Sequence, residues 1–304
     1  MINTTTLDKN YSTTQLLTQE KPILERQPED KFESVLFLPE GEGRKGEGGL
    51  RTKGYFKKSY ENKPLISIIT VVFNGEKYLE QTIQNVINQS YDNVEYIIID
   101  GGSTDGTLDI IKKYEDQIDY WISEKDRGIY DAMNKSIDLA SGEWINFMNA
   151  GDWFYTDNVL KDIFDKSNFF NIDIIYGDNQ VVYPNKKRIA KAGNMEDIWK
   201  GSQFSHQSTF VSSSLHKKNK FNIFNRIGAD FQFFYNAYKN ETKFKYINTT
   251  IATISSGGLS DIKRIDSIVG RWNVIEKNEK TNSYYIWIIS KEMIKERIKR
   301  LLNK

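Results

Sequence analysis

The first clear pattern along the chain is a nearly unbroken apolar run, LISIITVVF, at residues 65–73, interrupted only by Ser67 and Thr70. A run this short and this rich in β-branched residues predicts a strand covered on both faces, as in the middle of a parallel sheet. Beyond Gly75 the period changes. Tyr78, Leu79, Ile83, Val86 and Ile87 fall on one face of a helix. A second buried strand, VEYIIID, covers residues 94–100 and ends on a carboxylate. The turn GGSTDG follows, and a helix is expected from about Thr107, with Leu108, Ile111 and Ile118 turned inward. DYWIS at 119–123 reads as a third strand. Residues 129–139 read as a helix with Ala132, Met133 and Ile137 inward, and EWINFM at 143–148 as a fourth strand running into the polar NAGD of 149–152. Strands alternating with helices in this way predict an α/β fold with a mostly parallel sheet and right-handed crossovers.

Past residue 170 the pattern is less regular. IDIIYGD, QVVY, SHQSTFV, FKYIN and TIATIS read as short strands, 229–239 as a helix and 261–304 as two helices. These elements continue the first sheet or pack on it. Residues 1–30 are rich in Thr, Gln and Glu without periodicity, and poor order is expected there. The glycine-rich stretch 39–54, carrying Arg44, Lys45, Arg51 and Lys53, reads as a flexible loop. It is either a solvated linker or a segment that folds over an anionic ligand. Three parts follow: a flexible N-terminal extension at 1–63, a sheet domain at 64–260 and a helical tail at 261–304. No apolar run approaches the roughly 18 residues of a membrane span. The opening MINTTTLDKN lacks the basic and apolar regions of a secretory signal, so a cytoplasmic location is expected.

Composition narrows the chemistry. The chain has 304 residues, 38% of them hydrophobic, and a mean hydropathy of −0.59, the profile of a globular protein with a large core. It has no cysteine, which excludes disulfides, cysteine-ligated zinc, iron–sulfur clusters and a thiol nucleophile. With only His206 and His216, a poly-histidine metal site is excluded too, and the chemistry is expected to rest on carboxylates. The net charge of +1 conceals an uneven distribution. Residues 63–262 carry 26 acidic and 21 basic side chains, whereas residues 263–304 carry five acidic and eleven basic. No uniformly basic surface suggests nucleic acid. Within the tail, Ile289, Met293, Ile294, Ile298, Leu301 and Leu302 form an apolar helical stripe, and Lys291, Lys295, Lys299 and Arg300 cover the rest. An anionic membrane surface, a second subunit in a homo-oligomer and the protein's own domain are the candidates to cover residues 285–304.

In open α/β sheets ligands bind beyond the carboxyl ends of the strands. Asp100, Asp126 and Asp152 all fall at or just after such ends, which places them on one crevice. DGGSTDG is neither a GxGxxG dinucleotide fingerprint nor a P-loop, so both of those nucleotide modes are disfavoured.

The stretches SIITVVFNGEKYLEQTIQNVINQSYDNVEYIIIDGGSTDGTLDII, SEKDRGIYDAMNKSI and GEWINFMNAGD together resemble family 2 glycosyltransferases. GDNQVVY, SHQSTFV, GADFQFF and GGLS are similar to bacterial members that build O-antigens, capsules and exopolysaccharides. The resemblance covers about residues 64–260. It implies a GT-A fold, meaning a Rossmann-like, mostly parallel nucleotide-sugar-binding sheet flanked by helices. It also implies inverting transfer of a sugar from a nucleotide sugar, in the first place a UDP-sugar, with Mg2+ or Mn2+ as cofactor. The acceptor would be a saccharide or a lipid-linked saccharide at the inner face of the cell membrane.

Residue by residue, the resemblance makes Asp152 the metal ligand. NAGD stands where other members carry DxD or DD, which leaves Asp152 as the single protein carboxylate on the metal. Asp100 would accept from the uracil N3–H, and Thr70 and Val72 would offer backbone groups to the base. Asp126 would lie near the ribose or donor sugar, Arg127 would pair with the diphosphate and Asn134 would contact the donor sugar. His206, in the HQ pair, would meet the donor phosphate or the acceptor. Asp230, in GADFQFF, would be the base, at a helix N-terminus that keeps a carboxylate ionised. Asp105 is expected to cap the helix near Thr107, and His216 to lie at the surface. Two alternatives remain. A sugar nucleotidyltransferase would need a GGxGTR-type signature, which is absent here. A non-catalytic nucleotide- or glycan-binding module is left open by the weakened NAGD.

Overall fold

The computed structural model describes residues 4–22, 35–41, 43–165 and 169–302. The strands are β1 (Gly46–Gly48), β2 (Ile66–Val72), β3 (Val94–Asp100), β4 (Tyr120–Ser123), β5 (Trp144–Phe147), β6 (Trp153–Phe154), β7 (Ile174–Tyr183), β8 (Lys186–Ala190), β9 (Thr209–Ser212) and β10 (Phe244–Ser255). The α-helices are α1 (Leu79–Ile87), α2 (Thr107–Lys113), α3 (Ile129–Leu139), α4 (Val159–Phe164), α5 (Ser213–Lys218), α6 (Ala229–Lys239), α7 (Leu259–Ile262), α8 (Arg264–Val274) and α9 (Glu279–Leu302).

All seven residues of β2 and all seven of β3 are buried, because helices cover both faces of the sheet. Alternate side chains enter different cores. Ile69 and Val71 join α3 and α6 on one face, while Ile66, Ile68 and Val72 join α1 and α4 on the other. Strands β4, β3, β2 and β5 are mutually parallel, so their carboxyl ends share one edge.

The second half continues this sheet. One ten-stranded sheet runs β1-β4-β3-β2-β5-β9-β7-β10-β6, with β8 paired to β7. The segments read as IDIIYGD and QVVY are one strand, β7, and FKYIN and TIATIS are one strand, β10. Strand β10 shifts register against β7 between Tyr246 and Ala252, and its far half then pairs with β6. Such an irregularity bends a strand, and here it brings β10 to the chain just after Asp152. Strand β9 runs antiparallel to β5, so its leading residues reach the carboxyl edge of the sheet.

The N-terminal extension departs from the expected flexibility. Ser12, Thr13, Thr14 and Leu17 are buried, Ser12 Oγ donates to Val86 O at 3.1 Å, and Thr18 bridges to Phe56. Residues 1–3 and 23–34 of that expectation lie outside the described residues. Within the glycine-rich stretch, Gly46–Gly48 form an edge strand, β1, antiparallel to β4, and a 3-10 turn follows at Leu50–Lys53, while Glu42 lies outside the described residues. Arg51 is buried, 2.5 Å from Glu95 and bonded to Leu36 O and Leu139 O. Losing either member of such a buried pair strands a charge and costs roughly 3–5 kcal/mol. Polar side chains therefore hold this extension on the sheet, and an apolar-pattern reading does not register them.

Candidate active site

The carboxyl edge of the sheet carries two polar clusters. The first is at the ends of β2, β3 and β4. Asp100 is wholly buried there, and its carboxylate accepts from Ser103 N, Ser103 Oγ and Ser123 Oγ, the last at 2.5 Å. These bonds close the turn after β3, and Ser103 Oγ in turn accepts from Asn74 N at 2.7 Å. Asp105 accepts from Thr107 N at 3.1 Å and from Glu76 N at 3.2 Å, tying the start of α2 to the turn after β2. Lys45 Nζ donates to Gly102 O and Ser103 O at 2.9 and 2.8 Å. Asp126 is half-buried beside Gly101, and a Cβ there would displace its carboxylate from this position. Burial pushes the Asp126 carboxyl up, against a hydrogen bond from Gly128 N at 2.8 Å.

The second cluster joins the ends of β5, β9 and α6. The NAGD turn is fastened from α1. Thr82 Oγ1 donates to Asp152 O at 2.8 Å and accepts from Gly151 N at 3.0 Å, while Asn85 bonds both backbone groups of Phe154. The Asp152 carboxylate is half-buried. Gln207 Nε2 donates to its Oδ2 at 2.6 Å, and Gln207 Oε1 accepts from Ser205 Oγ at 2.9 Å. Burial raises the Asp152 carboxyl from its ordinary value, opposed by the Gln207 bond and by His206. Asn146, within β5, donates to Gln207 O and Thr209 O and so fixes the turn that carries His206. His206 lies between two partners: Nε2 is 3.0 Å from Asn149 Nδ2, and Nδ1 is 3.4 Å from Asp230 Oδ2.

Asp230 sits in the first turn of α6, its side chain about a quarter exposed at 27%. Tyr130, at the start of α3, donates to its Oδ1 at 2.9 Å. Burial alone would raise the Asp230 carboxyl. Bonds from His206, the Phe231 N–H and Tyr130 outweigh this and hold it below the usual carboxylate range. The result is an ionised carboxylate with part of its surface open.

Asp152, His206 and Asp230 are thus brought together, and the site adds Gln207, Asn149 and Tyr130. Gln207 and Asn149 lie in the HQ and NAGD segments, but no role is expected for either from the sequence. Nothing in the local sequence marks Tyr130, which lies 100 residues from its partner. Several other expected contacts are placed differently. Thr70 is buried mid-strand, bonded to Tyr96 Oη and Met148 O. The Val72 carbonyl accepts from Gly101 N at 2.9 Å. Asn134 spends its amide on Phe221, donating to O at 2.8 Å and accepting from N at 2.9 Å, because it must anchor the loop before α6. Arg127 folds back on Asp131 at 2.8 Å. Asp100 has no carboxylate surface left for a ligand. His216, expected at the surface, is buried and stacks on Phe233 at 4.5 Å.

A concavity of about 770 Å³ lies at the opposite, amino end of β2 and β5 and contains none of these groups. A shallower groove of about 510 Å³ runs from Arg127 along α3, facing Lys220–Phe224. Its Phe221 wall meets the Tyr130 ring at 5.5 Å.

The Glycosyl transferase family 2 model matches residues 67–248, more than half of the chain. The chain belongs to glycosyl transferase family 2. It is 28% identical over 208 residues to a PGL/p-HBAD biosynthesis glycosyltransferase of Mycobacterium bovis, covering 65% of this chain and 80% of the relative. It is 36% identical over 104 residues to the putative teichuronic acid biosynthesis glycosyltransferase TuaG of Bacillus subtilis, covering 33% and 41%. Among solved structures it resembles S. aureus TarS 1-349 in complex with UDP-GlcNAc, at a TM-score of 0.55 and 18% identity over 73% of this chain and 70% of that one. It also resembles the mannosyltransferase PcManGT from Pyrobaculum calidifontis in complex with GDP-Man and Mn2+, at 0.54 and 15%, over 72% and 67%. At these identities the structural likeness supports the GT-A-type fold. This chain is therefore a family 2 glycosyltransferase with that fold.

Proposed function

We propose that this transferase moves a sugar from a UDP-sugar to a saccharide or lipid-linked saccharide acceptor of a bacterial surface glycan, with inversion at the anomeric carbon. The observation that carries the reading is the second cluster, in which an ionised, partly open carboxylate at a helix start faces the turn that bears Asp152. Asp230 takes the proton of the acceptor hydroxyl as its oxygen attacks the anomeric carbon. The bond from that carbon to the diphosphate oxygen breaks, and the nucleoside diphosphate leaves with the electron pair. A diphosphate is a good enough leaving group to need no general acid, unlike the paired carboxylates of a glycosidase. Tyr130 and His206 orient the base, and the groove beside Arg127 gives the acceptor a path to it.

The residues fit a divalent cation delivered with the donor. Mg2+ and Mn2+ sites of this type draw on one or two protein carboxylates and fill the rest with phosphate oxygens and water. Asp152 supplies one carboxylate, and among the described residues no group of three acidic or histidine side chains builds a cage by itself. When bound, the cation would neutralise the charge growing on the leaving diphosphate. Gln207 fixes the Asp152 carboxylate. Asp126 remains the candidate for the ribose or donor sugar.

The test is incubation with manganese and a panel of nucleotide sugars, with and without membrane lipid extracts, following nucleoside diphosphate release and the anomeric configuration of the product. UDP release that needs both manganese and acceptor, with an inverted product, is expected. Binding without turnover for every pair would favour a binding module instead.

A further inference from the structure

Helix α9 has two unlike sides. Thr281 and Tyr285 are buried, and Ile288 and Ile289 pack against the core, so its first half is seated on the body. The opposite side is bare. Ile286, Trp287, Met293, Ile294, Ile298 and Leu301 are each half to two-thirds exposed. With 3.6 residues per turn they occupy an arc of about 140° on one face. The charges are sorted in the same way. Lys291, Lys295, Arg297 and Lys299 are all exposed, whereas Glu292 and Glu296 are half-buried. Glu292 binds Lys295 at 2.7 Å and also feels the Arg264 charge of α8. Lys291 Nζ lies 5.0 Å over the Trp287 ring. The side chains of Arg300 and Leu302, and residues 303–304, lie outside the described residues.

We propose that this face of α9 docks on an anionic phospholipid surface, lying along it with the apolar arc in the acyl boundary and Lys291, Lys295 and Arg297 reaching the headgroups. The composition of the face selects the occupant. An apolar arc that holds Arg297 and has Lys291 and Lys295 past one edge, with the acids turned away from solvent, complements an apolar layer bounded by negative charge. A second copy fits poorly, because pairing two α9 faces would bury the Arg297 of each copy in the apolar seam without a carboxylate beside it. No described helix is long and apolar enough to cross a membrane, so α9 lies on the surface. This inference is independent of the reaction proposed above.

The experiment is sedimentation of the full chain with vesicles of phosphatidylcholine alone and of equal parts phosphatidylcholine and phosphatidylglycerol, at low and high salt. The chain is expected to sediment with the anionic vesicles at low salt and to stay in solution with phosphatidylcholine alone. Ile294→Asp with Ile298→Asp should reduce binding at least about tenfold. Lys291→Glu with Arg297→Glu, at exposed positions that leave the fold intact, should do the same. A wild-type chain that ignores anionic vesicles overturns the proposal, as do charge-reversed variants that bind unchanged. A chain found as a dimer that Ile294→Asp dissociates, without vesicle binding, makes the face an interface between copies and overturns it as well.

Discussion

The two polar clusters at the carboxyl edge of the sheet look alike in sequence and differ in what their bonds are used for. At the β2–β3–β4 end, Asp100, Ser103, Ser123 and Asp105 satisfy one another and the backbone, and Asp100 is wholly buried. At the β5–β9–α6 end, Asp152, His206 and Asp230 are each held by a side chain from another element, yet Asp230 keeps about a quarter of its surface. A carboxylate with every lone pair spent shapes a loop. One that is oriented but partly open can meet a substrate. Both sit after strand ends, so position in the fold alone does not separate them.

The largest expected effect is at Asp230. In Asp230→Asn the transfer rate should fall about a thousandfold, within the usual range for loss of a general base. Next comes Asp152→Ala, expected to weaken manganese-dependent donor binding roughly a hundredfold, read by titration with and without the metal. Unchanged metal dependence would remove Asp152 from the donor site. Asp100→Ala should act on the fold, losing about 1–3 kcal/mol in denaturant unfolding as Ser103 and Ser123 lose their buried acceptor. An unaltered stability with donor binding abolished would reverse the contrast between the clusters.

Two smaller effects sharpen it. Burial lowers His216 from 6.5 to about 3. As pH falls through that window the unfolded chain takes up a proton that the folded chain refuses, so stability declines, by up to about 1.4 kcal/mol per pH unit. His216→Phe should flatten that slope, whatever it does to the level at neutral pH, and an equally steep slope would show that other groups carry the acid lability. Asn134→Ala should cost about 1 kcal/mol through the lost Phe221 bonds and leave donor affinity unchanged. A large loss of donor affinity would restore Asn134 as a ligand residue.

The first half of the fold is legible in the sequence because its strands are buried on both faces and its helices are strongly periodic. Helix α3 begins and ends where the pattern places it, at Ile129 and Leu139. Strand β10 is not legible as one element. Lys245, Asn248 and Thr249 interrupt its apolar pattern, and its first half is largely exposed around a change of register. The N-terminal extension hides for a different reason, since Arg51, Ser12 and Thr14 are held by hydrogen bonds and ion pairs that apolar patterning does not track. In the site, Asp152 announces itself after a strand end and Asp230 through the resemblance of GADFQFF. Their partners do not announce themselves: Gln207 is 55 residues from Asp152, and Tyr130 is 100 from Asp230. Which bonds are already spent at Asp100 and Asn134 is likewise a matter of packing.

In the proposed reaction Asp230 and Asp152 divide the open cluster between them, Asp230 acting on the acceptor and Asp152 on the donor. The most direct test of this division measures UDP affinity and sugar transfer on the same preparation of Asp230→Asn. Asp230→Asn should keep wild-type affinity for UDP with transfer reduced about a thousandfold. Transfer at close to the wild-type rate, with the donor bound normally, would contradict it.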